Sequence, residues 1–308
     1  MKRSKTFFIV PCLLLAVYLL LLLTGLVPES SVDTTAKLFL SLTVLELSVF
    51  ALPSFFYTKL TKQGEFSSFG LRPFSPKEIP FLLSAACLIA TFGLCVNGIF
   101  FFLGIGKESY TSLGSYILSD ISLEKNPLYA MIAYGAIPAV CEEFLFRGIV
   151  YREYRPYSPL TASLFSATAF AMCYFDLSGF PFYFVSGLLL AYTVELTGSL
   201  FAAITVRFAV NLASIYVMPV LWQLLTQPLG VLFAVFVSVA LFMISLFFFL
   251  KATETRYRRM AYDPAHAADQ PYPKKEARYH TLKAFTSPLF LVSVAIFIAA
   301  VCVKAFTS

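Results

Sequence analysis

Nine long apolar segments constrain this chain more than any other feature of its sequence. Each is close to the roughly 20 mainly apolar residues that an α-helix needs to cross the hydrocarbon core of a bilayer. The sequence therefore predicts an all-α, polytopic transmembrane helical bundle of about eight or nine helices. The fifth, sixth and seventh segments follow one another through short turns and could include a half-span. The segments lie near residues 7–27, 35–57, 80–104, 127–149, 157–175, 180–196, 199–221, 228–250 and 284–304.

The composition excludes a soluble protein. Of the 308 residues, 59% are hydrophobic and only 13% are charged, whereas a soluble globular chain is about half apolar and about a quarter charged. The aromatic share of 17% also excludes low-complexity disorder, because disordered chains contain few aromatic residues. We therefore expect the membrane lipid bilayer to be a partner of this chain, and we expect no nucleic acid.

The six cysteines lie inside apolar segments and form no Cys-x-x-Cys pair. This pattern favours buried free thiols over disulfides or a zinc site. Cys141 and Cys173 stand next to the charged motifs described below, but a thiol buried in an apolar helix is normally unreactive.

The basic residues predict the orientation in the membrane. With the N-terminus inside, the inner segments hold 18 of the 23 Lys and Arg residues, Arg147 among them, and cytoplasmic loops are enriched in these residues. We expect a multi-pass plasma-membrane protein with a cytoplasmic N-terminus and a first helix that is retained. The longest polar stretch, 251–283, holds both histidines, His266 and His280, and is predicted to be a solvated inner loop.

Ionisable residues inside the apolar segments are the strongest functional signal, because charge at membrane depth is expensive. The fourth segment contains Glu142, Glu143 and Arg147, and the seventh contains Arg207 and Asn211. On a helix, Glu143 and Arg147 share a face, whereas Glu142 points about 100° away. We expect the two helices to meet through these side chains. Two Glu and two Arg would make a formally neutral cluster, which is either a structural clasp or a catalytic or transport site.

The surroundings of these residues resemble the CPBP family of intramembrane proteases, which includes CAAX prenyl endopeptidases and bacteriocin-processing or immunity proteins. The stretch PAVCEEFLFRGIVYREY reproduces the family's first motif, Glu-Glu-x-x-x-Arg, at Glu142–Arg147. The second motif, Phe-x-x-x-His, aligns with Phe170–Tyr174, and the third, His-x-x-x-Asn, aligns with Arg207–Asn211. Between them, GLLLAYTVELTGSLFAAI is similar to the family's glycine-rich helix and turn. The resemblance covers about residues 127–215, and the motif surroundings favour a bacterial membrane.

The resemblance implies that Glu142 is the base that activates water, that Glu143 and Arg147 support it, and that two histidines and Asn211 complete the site. Tyr174 and Arg207 stand where the histidines would be. Tyrosine is a poor base, and arginine stays protonated and cannot ligate a metal. Beside Glu142, Arg207 would hold the carboxylate through charge-assisted hydrogen bonds. We therefore expect a retained protease fold with little or no peptidase activity, and neither a metal nor another cofactor.

Two other functions stay open. An active glutamate-dependent endopeptidase would use Glu142 as base, Tyr174 and Asn211 as oxyanion donors, and Arg207 as a fixed electrostatic stabiliser. A binding or regulatory protein would hold a membrane helix or a lipidated peptide without cutting it. The Phe- and Tyr-rich segment 180–192 could line such a cavity, although its Ser186 and Gly187 are expected to allow close helix packing. A transporter is disfavoured because we identify no second acidic span and no inverted repeat.

These observations divide the chain into three parts. Residues 1–126 are predicted to form N-terminal transmembrane helices, 127–221 a CPBP-like core with the motif residues, and 222–308 C-terminal transmembrane helices with the polar inner loop.

Overall fold

The computed structural model describes residues 3–24, 35–61, 69–104, 127–261 and 274–307. Within these ranges the chain is helical and contains no strand, which confirms the all-α prediction. The helices are α1 (Arg3–Thr24), α2 (Thr35–Glu46 and Leu52–Thr61), α3 (Ile79–Phe102), α4 (Pro127–Ala130, Ile137–Glu143 and Arg152–Tyr154), α5 (Pro159–Met172), α6 (Phe180–Thr197), α7 (Leu200–Leu212 and Met218–Leu229), α8 (Val231–Ala261), α9 (Lys274–Phe285) and α10 (Pro288–Thr307).

Four π-helical segments interrupt these helices. They are Leu47–Ala51 in α2, Met131–Ala136 and Phe144–Tyr151 in α4, and Ala213–Val217 in α7. Three of them are followed two residues later by a proline, namely Pro53, Pro138 and Pro219. Because proline has no N–H to donate to the preceding turn, the backbone there shifts toward the wider i→i+5 pattern, and such bulges are frequent at functional sites.

Seven of the described helices are long and apolar enough to cross a membrane, and an eighth is counted if the bent pair Arg278–Phe285 and Pro288–Lys304 forms one span. The prediction of a multi-pass helical bundle is confirmed, but the count is seven or eight rather than nine. The difference lies in the fifth segment, 157–175, whose helix α5 has 14 residues. At 1.5 Å per residue it is about 21 Å long, shorter than the roughly 30 Å hydrocarbon core.

The predicted inner loop at 251–283 is wrong in its described parts. Helix α8 continues through Ala261, and α9 begins at Lys274. Residues 262–273, including His266, lie outside the described residues. His280 on α9 is only partly exposed, because its ring packs against Phe7 and Tyr157 at 5.9 and 4.6 Å between centroids.

Helices α4 to α7 pack around one another in the middle of the bundle, with α5 along α6 and α4 against α7. Gly187 on α6 explains part of this close approach. A Cβ atom at this position would lie 2.9 Å from the Cα atom of Ala167 on α5. Ser186 beside it is fully buried. The expectation that these two small residues allow close helix packing is therefore confirmed.

The six cysteines are free thiols, which confirms the absence of disulfides expected from their spacing. Cys95, Cys141 and Cys173 are buried, as expected. Cys12, Cys87 and Cys302 lie instead on the outer surface of the bundle, so the expected burial is wrong for these three.

Candidate functional site

The adjacent carboxylates on α4 diverge into two separate ion pairs. Glu143 accepts a hydrogen bond from Arg147 Nη1 at 2.8 Å, and both side chains have no exposed surface. Arg147 also donates from Nη2 to the carbonyl oxygen of Gly187 on α6, at 3.0 Å. Its guanidinium lies 4.6 Å from the ring centroid of Phe170. The predicted pair is confirmed, and it joins α4 to α6.

Arg147 corrects the count of basic residues on the inner side. The sequence analysis assigned it to an inner segment, but the structure buries it completely within the membrane-spanning length of α4. Its charge is balanced by Glu143 rather than by solvent or headgroups.

The second carboxylate, Glu142, is bound to Arg207 on α7. Nε and Nη2 of Arg207 both donate to Oε2 of Glu142, at 3.0 and 2.7 Å. The hydroxyl of Tyr174 donates to the other oxygen, Oε1, at 2.9 Å. Arg207 Nη2 also contacts the Tyr174 hydroxyl. Both oxygens of Glu142 are therefore occupied by donors from other parts of the chain, and the expected meeting of the fourth and seventh apolar segments is confirmed.

Asn211 lies one turn after Arg207 on the same face of α7 and lines the same cavity. Its Nδ2 donates to the carbonyl oxygen of Gly135, in the π-helical part of α4, at 3.3 Å. The structure thus brings all six sequence-predicted site residues together in the packing of α4 with α6 and α7, but in different roles. Glu142, Tyr174 and Arg207 form one hydrogen-bonded set, Glu143 and Arg147 form a second, and Asn211 ties α7 to α4.

A cavity of about 90 Å³ adjoins the first set. Its volume suits a few water molecules or the end of one unbranched side chain, since one water needs about 10–15 Å³ of such space. The walls are formed by α2, α4, α6, α7 and the turn after α5. The lining residues are Leu42, Glu46, Ala133, Tyr134, Pro138, Glu142, Tyr174, Phe182, Tyr183, Arg207, Val210, Asn211, Ser214 and Ile215.

Glu46 is the residue of this site that the sequence analysis missed. It ends the first part of α2, lines the cavity, and interacts electrostatically with Glu142 and Arg207. Its Oε2 atom is buried and has no hydrogen-bond partner. With Glu46 the cluster contains three Glu and two Arg, whereas the expected neutral cluster counted two of each; its formal charge is negative by one when every carboxyl is ionised. An acidic residue in the otherwise apolar segment 35–57 was the signal available in the sequence, and it also removes one argument used against a transporter.

Three of the four π-helical segments begin at or near site residues. Leu47–Ala51 directly follows Glu46, Phe144–Tyr151 directly follows Glu143, and Ala213–Val217 begins two residues after Asn211. A π-turn widens the helix and rotates the side chains that follow it relative to those before it. The π-helical segments of α2, α4 and α7 therefore help to aim side chains from three helices at one cavity.

The donor chemistry of the site does not suit a metal ion. Among the described residues there is no group of three or more His, Cys, Asp or Glu side chains placed to hold one. The positions aligned with the family histidines carry a tyrosine hydroxyl and a guanidinium, and the latter cannot ligate a metal.

The comparisons with known proteins support the resemblance seen in the sequence. Residues 124–213 match the family model described as type II CAAX prenyl endopeptidase Rce1-like. No curated protein and no solved structure gave a significant match. The matched residues include α4, α5, α6 and the first part of α7, which carry the site except for Glu46 and part of the cavity wall. Residues 124–213 of this multi-pass membrane protein are therefore similar to the Rce1-like CAAX prenyl endopeptidases.

Proposed function

We propose that this protein uses its CAAX-protease-like domain to bind a membrane-associated or lipidated peptide, with little or no cleavage of it. One observation carries the proposal: both oxygens of Glu142 accept hydrogen bonds from Arg207 and Tyr174. A general base must reach the proton of a water molecule through a free lone pair in a suitable direction. A carboxylate fixed by a guanidinium and a hydroxyl is poorly placed for this task.

The ion pair is also difficult to open. Arg207 and Glu142 are both almost fully buried, and separating a buried pair leaves two unpaired charges in a medium that solvates them poorly. Water activation by Glu142 would require this separation in every turnover. The geometry thus favours a closed clasp over the active alternative, in which Arg207 would stand apart from Glu142.

The hydrogen bond of Asn211 also favours the closed clasp over the active alternative. In the active alternative its side-chain amide would donate to an oxyanion. One of the two N–H donors of its Nδ2 is bound to Gly135, which supports a packing role between α7 and α4.

The mixed apolar and polar lining of the cavity supports a peptide as the binding partner. Phe182 and Tyr183 on α6 bring aromatic surface to the cavity beside the polar residues of α4 and α7. A cavity with one apolar and one polar side suits the end of a peptide side chain presented from the membrane. The uneven distribution of Lys and Arg supports a cytoplasmic N-terminus, and we place the protein in a bacterial plasma membrane.

A second candidate is a peptidase that retains activity with a different base. The observation in its favour is Glu46, which offers the cavity a carboxylate whose Oε2 has no partner among the described residues. In that case Glu46, and not Glu142, would take the proton from water.

Peptide cleavage separates these possibilities. The purified protein in detergent is incubated with prenylated and unprenylated peptides, beside the variants Glu142→Ala and Glu46→Gln, and peptide binding is followed by fluorescence anisotropy of a labelled peptide. The proposal expects peptide binding by the wild type and no cleavage above background in any of the three proteins. Cleavage that disappears in Glu142→Ala would contradict it, and cleavage that disappears only in Glu46→Gln would support the second candidate.

A further inference from the structure

Glu46 is the carboxylate of the cavity whose Oε2 atom accepts no hydrogen bond from the described residues. Glu142 accepts hydrogen bonds from Arg207 and Tyr174, and Glu143 accepts one from Arg147. Oε2 of Glu46 is buried without a partner in the part of the chain that the structure describes. A carboxylate at membrane depth is expensive unless a positive group or a hydrogen-bond donor compensates it. The site therefore lacks one compensating group.

The formal charges of the cluster indicate that the missing compensating group is a cation. When all three carboxyls are ionised, Glu46, Glu142 and Glu143 carry three negative charges against two positive charges on Arg147 and Arg207. Arg207 is within electrostatic reach of Glu46, but its guanidinium donates hydrogen bonds to Glu142 and Tyr174. One further positive charge would make the cluster neutral.

The walls of the cavity indicate the chemistry of the cation. Tyr134, Phe182 and Tyr183 line it together with Glu46, and Tyr183 stacks on Tyr174 with ring centroids 3.6 Å apart. Aromatic rings attract ammonium groups, whereas a metal ion requires several oxygen, nitrogen or sulfur ligands. The described residues offer no group of three acidic, His or Cys side chains that could hold a metal. One carboxylate and an aromatic wall are sufficient for an ammonium group.

We propose that this cavity binds a primary ammonium group, with Glu46 as its carboxylate partner, and that the group is the end of a lysine side chain of a membrane-embedded peptide. The inference rests on the proposed binding function and names the group that is recognised. The volume of about 90 Å³ accepts the end of an unbranched alkylammonium chain but not a folded peptide. The peptide would therefore lie outside the cavity and insert one side chain.

Three small molecules of equal chain length test the charge of the ligand. Thermal unfolding of the full chain in detergent is measured with n-butylammonium chloride, with n-butanol and with sodium butyrate. At about ten times its Kd, butylammonium should raise the Tm of the wild type by about 3 °C, whereas the alcohol and the anion should not. An equal shift with butanol, or no shift with butylammonium, would overturn the proposal; in the latter case a proton balances Glu46. This comparison requires no variant to fold.

Two variants test the residue. Glu46→Gln removes the charge while keeping the shape, and it should abolish the butylammonium shift. Glu254→Gln is the matched control, because Glu254 is an exposed residue of α8 that pairs with Arg258, and it should keep the shift. An undiminished shift in Glu46→Gln would place the ammonium elsewhere and overturn the proposal.

The source of the amine is tested in nanodiscs. A single-span peptide with a lysine near its middle should bind the wild type at least tenfold more tightly than the same peptide with glutamine, and this ratio should fall to about one in Glu46→Gln.

If phosphatidylethanolamine nanodiscs abolish the butylammonium shift and phosphatidylcholine nanodiscs do not, a lipid headgroup is the source, and the peptide is excluded. Cleavage of peptides that leaves the butylammonium shift unchanged would contradict the proposed function alone.

Discussion

Arg207 directs two nitrogens at a single oxygen of Glu142, Oε2, and leaves the other oxygen to the hydroxyl of Tyr174. The two residues that stand at the positions of the family histidines thus occupy the carboxylate that the resemblance assigns as the base. A histidine can be neutral and can accept a proton near neutral pH, whereas a guanidinium is a permanent donor. Where the family motif has its second histidine, this chain has Arg207, which forms a salt bridge with Glu142 between α7 and α4.

The ion pair predicts an asymmetry between its two partners. Arg207→Ala should lower the free energy of unfolding by about 3–5 kcal/mol, because Glu142 is left buried without its cation. Glu142→Gln should cost less, about 1–3 kcal/mol, because the glutamine oxygen still accepts from Arg207 and Glu46 remains near the guanidinium. Both values come from denaturant unfolding in detergent. Equal stability of the wild type and Arg207→Ala would count against the clasp.

Tyr174→Phe isolates the hydroxyl that donates to Glu142 Oε1. The ring contacts with Tyr183 and Phe170 remain in this variant, so only the hydrogen bonds are lost. We expect a loss of about 1 kcal/mol in the free energy of unfolding, measured as a shift in the denaturation midpoint. Peptide binding should stay within twofold of the wild type, and a gain of peptide cleavage would show that the hydroxyl had helped to suppress activity.

Loss of the ion pair between Glu143 and Arg147 should lower the stability of the fold without changing ligand binding. Arg147 has no exposed surface and joins Glu143 to the carbonyl of Gly187. Arg147→Met leaves Glu143 unpaired in the core, so we expect a loss of about 3–5 kcal/mol and a protein that is recovered poorly from the membrane. The double variant Glu143→Gln/Arg147→Met removes both charges and should recover part of the lost free energy of unfolding. A double variant no more stable than Arg147→Met would indicate that the charge balance is unimportant.

Gly187 should be intolerant of a methyl group. The added Cβ would meet the backbone of α5 at Ala167, so Gly187→Ala should destabilise the protein by about 1–3 kcal/mol despite the better helix propensity of alanine. Gly148→Ala is the control, because its Cβ would meet only side-chain atoms of Leu200 and Phe144. A smaller loss in the control is expected from thermal unfolding of both proteins, and the reverse order would contradict the packing described for α5 and α6.

Local patterns in the sequence were sufficient for much of the site. The spacing of Glu143 and Arg147 predicts that they pair on one helix face. Because an unpaired charge in the bilayer has a high free-energy cost, Glu142 and Arg207 are predicted to form an ion pair. The bundle itself follows from the apolar segments. Arg147 was counted among the inner basic residues because basic residues near a segment end are usually loop residues, whereas the packing of α5 and α6 against α4 buries it.

Glu46 could not be assigned from its neighbours in the sequence. A single acid in an apolar helix gives no information on which helix it faces, and the partner surface is contributed by residues far along the chain. The length of α5 could not be predicted from the sequence either, because the apolar residues of the following turn extend the hydrophobic segment beyond the end of the helix. The prolines after three π-helical segments are visible in the sequence, but the convergence of those segments on one cavity is a property of the fold.

A double-mutant cycle on Glu142 and Arg207 tests the central claim most directly. The free energies of unfolding of the wild type, Glu142→Gln, Arg207→Met and the double variant are measured under one set of detergent and denaturant conditions. The account predicts that the double variant loses less than the sum of the single losses, with a coupling energy of about 2 kcal/mol or more. Additive losses, with a coupling energy near zero, would mean that the two side chains do not hold each other in the folded protein.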